Sequence, residues 1–193
     1  IKSISKEGFQ SSRTNAISYM KKKINLGSFP PIYKEVNIIL VRILGIDVKI
    51  PLFILFRALG FETDKQILDL IIYKSDTDEL KNKLLELLRH SIKDSEPIYN
   101  QKSAIKFLAL NTKQKEVINV LEILNNYFLP NYLRDMNHKG QFLAYSVRKL
   151  LLTHIGVINE TDRDSYSFKR IDLPGSLLLE LFRELWGSFL KNM

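Results

Sequence analysis

The chain has 193 residues, 29 of them basic and 21 acidic, with a formal net charge of +8 and no cysteine. That length suits one domain with its own core, and 45% hydrophobic with 26% charged residues excludes intrinsic disorder. The lack of cysteine excludes disulfides and thiolate metal sites, and the most apolar stretch, residues 38–56, is no membrane span because Arg42, Asp47, Lys49 and Pro51 interrupt it.

Strands come first along the chain. Ala16 to Lys22 alternates loosely, and Gly27-Ser28-Phe29-Pro30-Pro31 predicts a turn. Val36 to Leu44 is rich in branched apolar residues and reads as a buried strand that Gly45 breaks, with Ile46 to Ile50 expected to continue the sheet. Pro51 suits the first turn of a short helix ending at Gly60, a natural residue just past a helix end. Thr63 with Gln66 has capping-box spacing for a helix to about Tyr73. Asp76 with Glu79 repeats that signal for a helix striped by Leu80, Leu84, Leu87 and Leu88. A loop over 91–102 and a short helix near 103–110 follow.

The second half reads as helical. Val117, Leu121, Leu124 and Phe128 share one face of a helix that ends before Pro130. Leu143, Val147, Leu150, Leu151, His154 and Ile155 share a face of the next, which predicts His154 as a hydrogen-bonded core residue. Beyond a charged loop, Leu177, Leu178, Leu181, Phe182, Leu185, Trp186 and Phe189 form a wide apolar stripe. Ordinary core packing is the simplest reading of all three stripes, with an anchor for a partner as the alternative for Trp186. The predicted fold class is α+β, a small early β-sheet with a predominantly helical remainder.

Charge is uneven. Residues 1–49 hold nine basic side chains against Glu7, Glu35 and Asp47, a net of +6, which leaves +2 for the rest. A basic quarter suits a polyanion or an acidic protein surface, or is simply a solvated face. Catalytic constellations are sparse: His90, His138 and His154 lack metal-site spacing, and the eight glycines stand singly without a phosphate loop. Asp162 and Asp164 flank Arg163 and precede Lys169 and Arg170, so salt bridging within the loop suits them better than sharing a magnesium ion.

The stretch from Asp162 to Leu178 is the most informative. Asp162-Arg163-Asp164 and Lys169-Arg170 flank Tyr166 and Phe168, and Leu173-Pro174-Gly175-Ser176 leads into Leu177-Leu178. Upstream lie Ile50-Pro51 with Phe56-Arg57-Ala58-Leu59-Gly60, then Tyr127-Phe128-Leu129-Pro130, then Lys139 to Leu152. In that order these blocks resemble the lobe domain of the second-largest, beta-like subunit of multisubunit DNA-directed RNA polymerases. The likeness is closer to the eukaryotic, archaeal and large-DNA-virus forms than to the bacterial one, and it covers roughly residues 36–190. Pro174 and Ser176 depart from the family's usual small residue and proline, and Ser167 stands where glycine is common. The implied division is a poorly matched, partly strand-forming segment over 1–35 and a lobe-like domain over 36–193. Ile1 in place of a starting Met predicts a piece of a larger subunit.

The resemblance implies a non-catalytic domain that lines the DNA cleft and helps hold downstream DNA and the transcription bubble during RNA synthesis. It implies as partners DNA, other polymerase subunits, adjoining domains of the same subunit and transcription factors, and no membrane. It implies no cofactor here, with the magnesium of the parent enzyme bound elsewhere. The implied location is intracellular: the nucleus for a cellular eukaryote, the cytoplasm or virion for a virus. In the family the matching loop lies near the downstream edge of the bubble, where an acidic and a basic residue form a pocket for an unstacked base. Carried over, these are Asp164 and Lys169, with Arg163 and Arg170 as supports. A carboxylate accepts from base amino groups, while cations hold phosphates and stack on bases. The same loop also reads as a self-neutralising cluster without DNA contact. Two other classes stay open: a stand-alone basic nucleic-acid-binding module using Lys21, Lys22 and Lys23, and a protein-interaction scaffold docking through the Trp186 helix or the basic surface.

Overall fold

Alternating and branched side chains build the sheet, as the composition of residues 36–44 predicts. β1 (Ala16–Asn25) pairs antiparallel with β2 (Tyr33–Arg42), from Ala16 opposite Arg42 to Asn25 opposite Tyr33. β3 (Ile50–Pro51) joins β2 antiparallel through Ile50 opposite Val41, giving the order β1-β2-β3. The expected continuation over 46–50 shrinks to these two residues. Gly45 turns the chain at φ +90°, and the Ile46 N–H donates to the Ile43 carbonyl at 3.3 Å instead of to a neighbouring strand. The computed structural model describes residues 15–25, 33–132, 135–162, 165–168, 171 and 173–192, so the turn expected at residues 27–31 lies outside them. The chain divides into two compact units, one up to Ile158 and one from Asn159.

α1 (Leu52–Ala58) is buried on all sides, including Arg57, as a helix apolar around its whole circumference must be. Its end is a Schellman motif: the Gly60 N–H donates to the Arg57 carbonyl and the Phe61 N–H to the Phe56 carbonyl, both at 3.0 Å. Gly60 takes φ +106°, open to glycine at no steric cost, and Phe61 closes the motif edge-on against Phe56. Thr63 caps α2 (Asp64–Ile71) as expected, accepting from the Gln66 N–H at 3.3 Å. α3 (Asp78–Lys93) packs on β2, and its buried Ser91 Oγ accepts from the Ile39 N–H at 2.9 Å. Here the expected cap is displaced: Thr77 occupies the N-cap position, and Asp76 is committed to Arg148. α4 (Gln101–Leu110) starts two residues earlier than its pattern predicts, because Asn100 and Ser103 cap each other's backbone.

α5 (Val117–Glu122) runs into a π-helical turn over Ile123–Tyr127, in which the Phe128 N–H reaches the Ile123 carbonyl at 2.9 Å. The wider turn shifts the helical register. Val120, Ile123, Leu124 and Phe128 are buried, whereas Val117 and Leu121 of the expected stripe are exposed. α6 (Met136–Ile155) buries Leu143, Val147 and Leu151 as expected. His154, expected in the core, is exposed in the last turn, where its ring meets Tyr19 edge-on at 4.7 Å. Helix α6 also runs close to Phe61 at Gly140, where an added Cβ would lie 2.9 Å from Phe61 Cζ.

The second unit carries a 3-10 turn over Tyr166–Phe168 and α7 (Pro174–Lys191). Core packing of the α7 stripe is not found: Leu177, Leu181, Phe182, Leu185, Trp186 and Phe189 are all exposed. A unit with one long helix has no second apolar face in which to bury the first.

Candidate nucleic-acid interface

Three cations of the blocks that carry the resemblance are consumed by the fold of the first unit. Arg148 makes a two-pronged pair with Asp76, Nη1 to Oδ2 at 2.6 Å and Nη2 to Oδ1 at 2.7 Å. Its Nη1 also donates to the Ile71 carbonyl at the end of α2, and its guanidinium lies 4.1 Å from the Tyr73 ring centroid. The Arg148 hydrogen bonds hold the Asp76 carboxyl below the usual aspartate value. Arg57 is equally enclosed, with Nη2 2.5 Å from Asp64 Oδ1, Nη1 3.1 Å from Ser95 Oγ, and a further bond to the Ile98 carbonyl. Lys139 is fully buried and donates to the carbonyls of Leu124 at 2.6 Å and Asn125 at 2.8 Å. Burial pushes its ammonium below the usual lysine value.

No local pattern reveals these roles. Asp76 and Arg148 are 72 positions apart, and Arg57 and Lys139 read as members of recognisable blocks without a stated partner. The usable signal is a cation embedded in an otherwise apolar run, which must find an internal partner or leave the core.

The basic strand is partly neutralised. Lys21 and Lys23 both lie 3.9 Å from Glu35 across the ladder, and Lys22 pairs with Asp94 at the C-cap of α3. Lys21 and Lys23 nevertheless remain largely exposed, so they keep a solvated positive edge. Asp135 caps α6 by accepting from the Asn137 and His138 N–H groups and from His138 Nδ1, and the His138 contact holds its carboxyl low.

In the second unit, Arg163, Asp164, Lys169 and Arg170 lie outside the described residues. Around them, the Ser165 N–H donates to the Asp162 carbonyl at 3.3 Å, and the Ser165 and Ser167 hydroxyls meet at 2.9 Å. Tyr166 is 88% exposed. Pro174 opens α7 at its first turn and the Ser176 hydroxyl donates back to the Leu173 carbonyl, so a fixed helix start follows the loop. Along α7, Trp186 stacks between Phe182 at 6.1 Å and Phe189 at 5.5 Å.

Residues 5–172 match the family model described as RNA polymerase Rpb2, domain 2. The chain belongs to this family. Family membership bears out the resemblance read from the four blocks, and the matched range runs through the loop that carries Arg163, Asp164, Lys169 and Arg170. The chain is 35% identical over 146 residues to the DNA-directed RNA polymerase II subunit RPB2 of Encephalitozoon cuniculi, covering 71% of this chain and 12% of that protein. It is 35% identical over 157 residues to the DNA-directed RNA polymerase II subunit 2 of Arabidopsis thaliana, covering 77% and 13%. Similarity to the DNA-directed RNA polymerase subunit Rpo2 of Sulfolobus acidocaldarius is 32% over 154 residues, covering 75% and 13%. The chain thus spans about an eighth of the length of these relatives. Among the described residues no three His, Asp or Glu side chains gather as a metal site.

Proposed function

We propose that this chain is a non-catalytic lobe of a DNA-directed RNA polymerase second-largest subunit, lining the DNA cleft and helping to hold downstream DNA and the open bubble. The observation that carries the reading is the family match over residues 5–172, which includes the whole Asp162–Arg170 loop. In this reading Asp164 and Lys169 contact an unstacked base, Arg163 and Arg170 hold phosphates, and the exposed Tyr166 borders the contact. The fold supports such a division of labour. Arg57, Lys139 and Arg148 are sealed into the first unit, which leaves DNA contact to cations outside that core. Other subunits and adjoining parts of the same polypeptide then supply the remaining cleft and the chemistry of RNA synthesis.

The test is Lys169→Ala with Arg170→Ala in the intact polymerase. Open complexes should dissociate several-fold faster at physiological salt, with the thermal melting of the subunit unchanged. An unaltered bubble lifetime would remove the loop assignment. Recovery of the native polypeptide without a larger RNA-synthesising partner would remove the lobe reading itself.

A further inference from the structure

A groove runs between α2, the turn that follows it, and α3, at the edge of the core. Ile67 and Ile71 of α2, and Leu84 and Leu88 of α3, point into the core and are fully buried. Leu68 of α2 and Ile72 just past its end, both partly buried against the edge of that core, join Leu85 of α3 and Tyr73 in lining a groove of about 470 Å³. That volume lies in the range of sites that take organic ligands and peptide side chains. Leu85 is 40% and Tyr73 42% exposed, large apolar surfaces left in water.

The floor is rigid and the rim is positive. Tyr73 is held from behind by the Arg148 guanidinium, itself locked by Asp76, and the Tyr73 N–H donates to Asp76 Oδ2 at 2.9 Å. Lys65, Lys74 and Lys81 line the groove against a single carboxylate, Asp69. Lys81 reaches Asp78 at 3.4 Å, while Lys65 and Lys74 make no ion pair among the described residues. Two ammonium groups, one from the first turn of α2 and one from beyond its end, therefore flank the apolar floor.

We propose that this groove docks an acidic amphipathic helix from a partner protein, with large apolar side chains on Leu68, Ile72, Tyr73 and Leu85 and carboxylates on Lys65 and Lys74. The inference rests on the polymerase reading only for the identity of the assembly in which that partner would act. The charge pattern selects the occupant. Carboxylates along one helix flank can reach both lysines while the neighbouring apolar face fills the floor. Nucleic acid fits less well: phosphates gain nothing from a leucine and isoleucine floor, and one face of the Tyr73 ring is already covered by Arg148.

The experiment uses the whole 193-residue chain and a fluorescein-labelled synthetic helix of about 15 residues, with glutamates on one flank and leucine and phenylalanine on the other, followed by anisotropy. A scrambled peptide of the same composition, a peptide with lysine for every glutamate, and single-stranded DNA serve as the other probes. The acidic helix should bind at least about tenfold more tightly than the scrambled or lysine peptide. Leu85→Glu should weaken it by about tenfold, and Lys65→Glu with Lys74→Glu should transfer preference to the lysine peptide. All three positions are exposed, so unchanged melting curves will separate docking from unfolding. Equal binding of all peptides, indifference to Leu85→Glu, or DNA displaced by these substitutions would overturn the proposal. Such a failure leaves the native polypeptide's co-purification with a polymerase untouched, so the two readings fall separately.

Discussion

The first unit buries three of its cations; the second exposes even its tryptophan. Arg57, Lys139 and Arg148 are enclosed among apolar side chains, each with carbonyl or carboxylate partners, while α7 keeps Phe182, Trp186 and Phe189 in water. Burying a charge is tolerated only where its partners are fixed in place. The first unit therefore depends on specific geometry, and the second on whatever surface lies beyond its single long helix. Substitutions should act strongly and on stability in the first unit, and weakly on stability but strongly on association in the second.

The sharpest way to break that contrast is the Arg148–Asp76 pair. Asp76→Ala strands a buried guanidinium and should cost about 3–5 kcal/mol in urea unfolding, with Arg148→Met on the same chain recovering part of the loss. The pair also sets an acid limb. Because Asp76 titrates below its unfolded value near 3.9, its contribution is complete above about pH 4 and is lost as pH falls through the lower folded value. Asp76→Asn should flatten this limb; an unchanged acid profile would show that the pair contributes nothing.

Gly140→Ala comes next. Its new methyl group must displace the Phe61 ring, at about 1–3 kcal/mol, and Phe61→Leu should give some of that back. A Gly140→Ala protein as stable as the parent would mean that α6 and the α1 end are free to separate. The smallest expected effect is at Trp186, the one tryptophan of the chain. Trp186→Ala should change stability by no more than about 0.5 kcal/mol, and tryptophan emission should shift little on unfolding. A large blue-shifted starting emission would place Trp186 in a core and cancel the contrast.

Local chemistry was legible and long-range commitment was not. The β2 strand, the Gly60 helix end and the Thr63 cap follow from signals within a few residues, and all three stand. Asp76 looked like a cap because its local spacing is right; Arg148, packed against it from α6, outbids the helix start. The α5 stripe slipped by one position because a π turn adds a residue that a 3.6-residue period does not count. His154 and the α7 stripe were assigned to a core by periodicity, which reports a face without reporting what covers it. The family was legible because its blocks are runs of specific residues in order. The roles of Arg163, Asp164, Lys169 and Arg170, which lie outside the described residues, follow from the resemblance alone, because spacing does not carry three-dimensional placement.

The ammonium of Lys139 has a consequence for chemical footprinting. It is shut between α6 and the π turn by two carbonyls, whereas Lys21 and Lys23 stand in solvent. An acylating reagent should mark the strand lysines at once and Lys139 only when α6 lifts away. The modification rate of this one side chain is then a clock for opening of the lobe, readable by mass spectrometry inside an assembled complex.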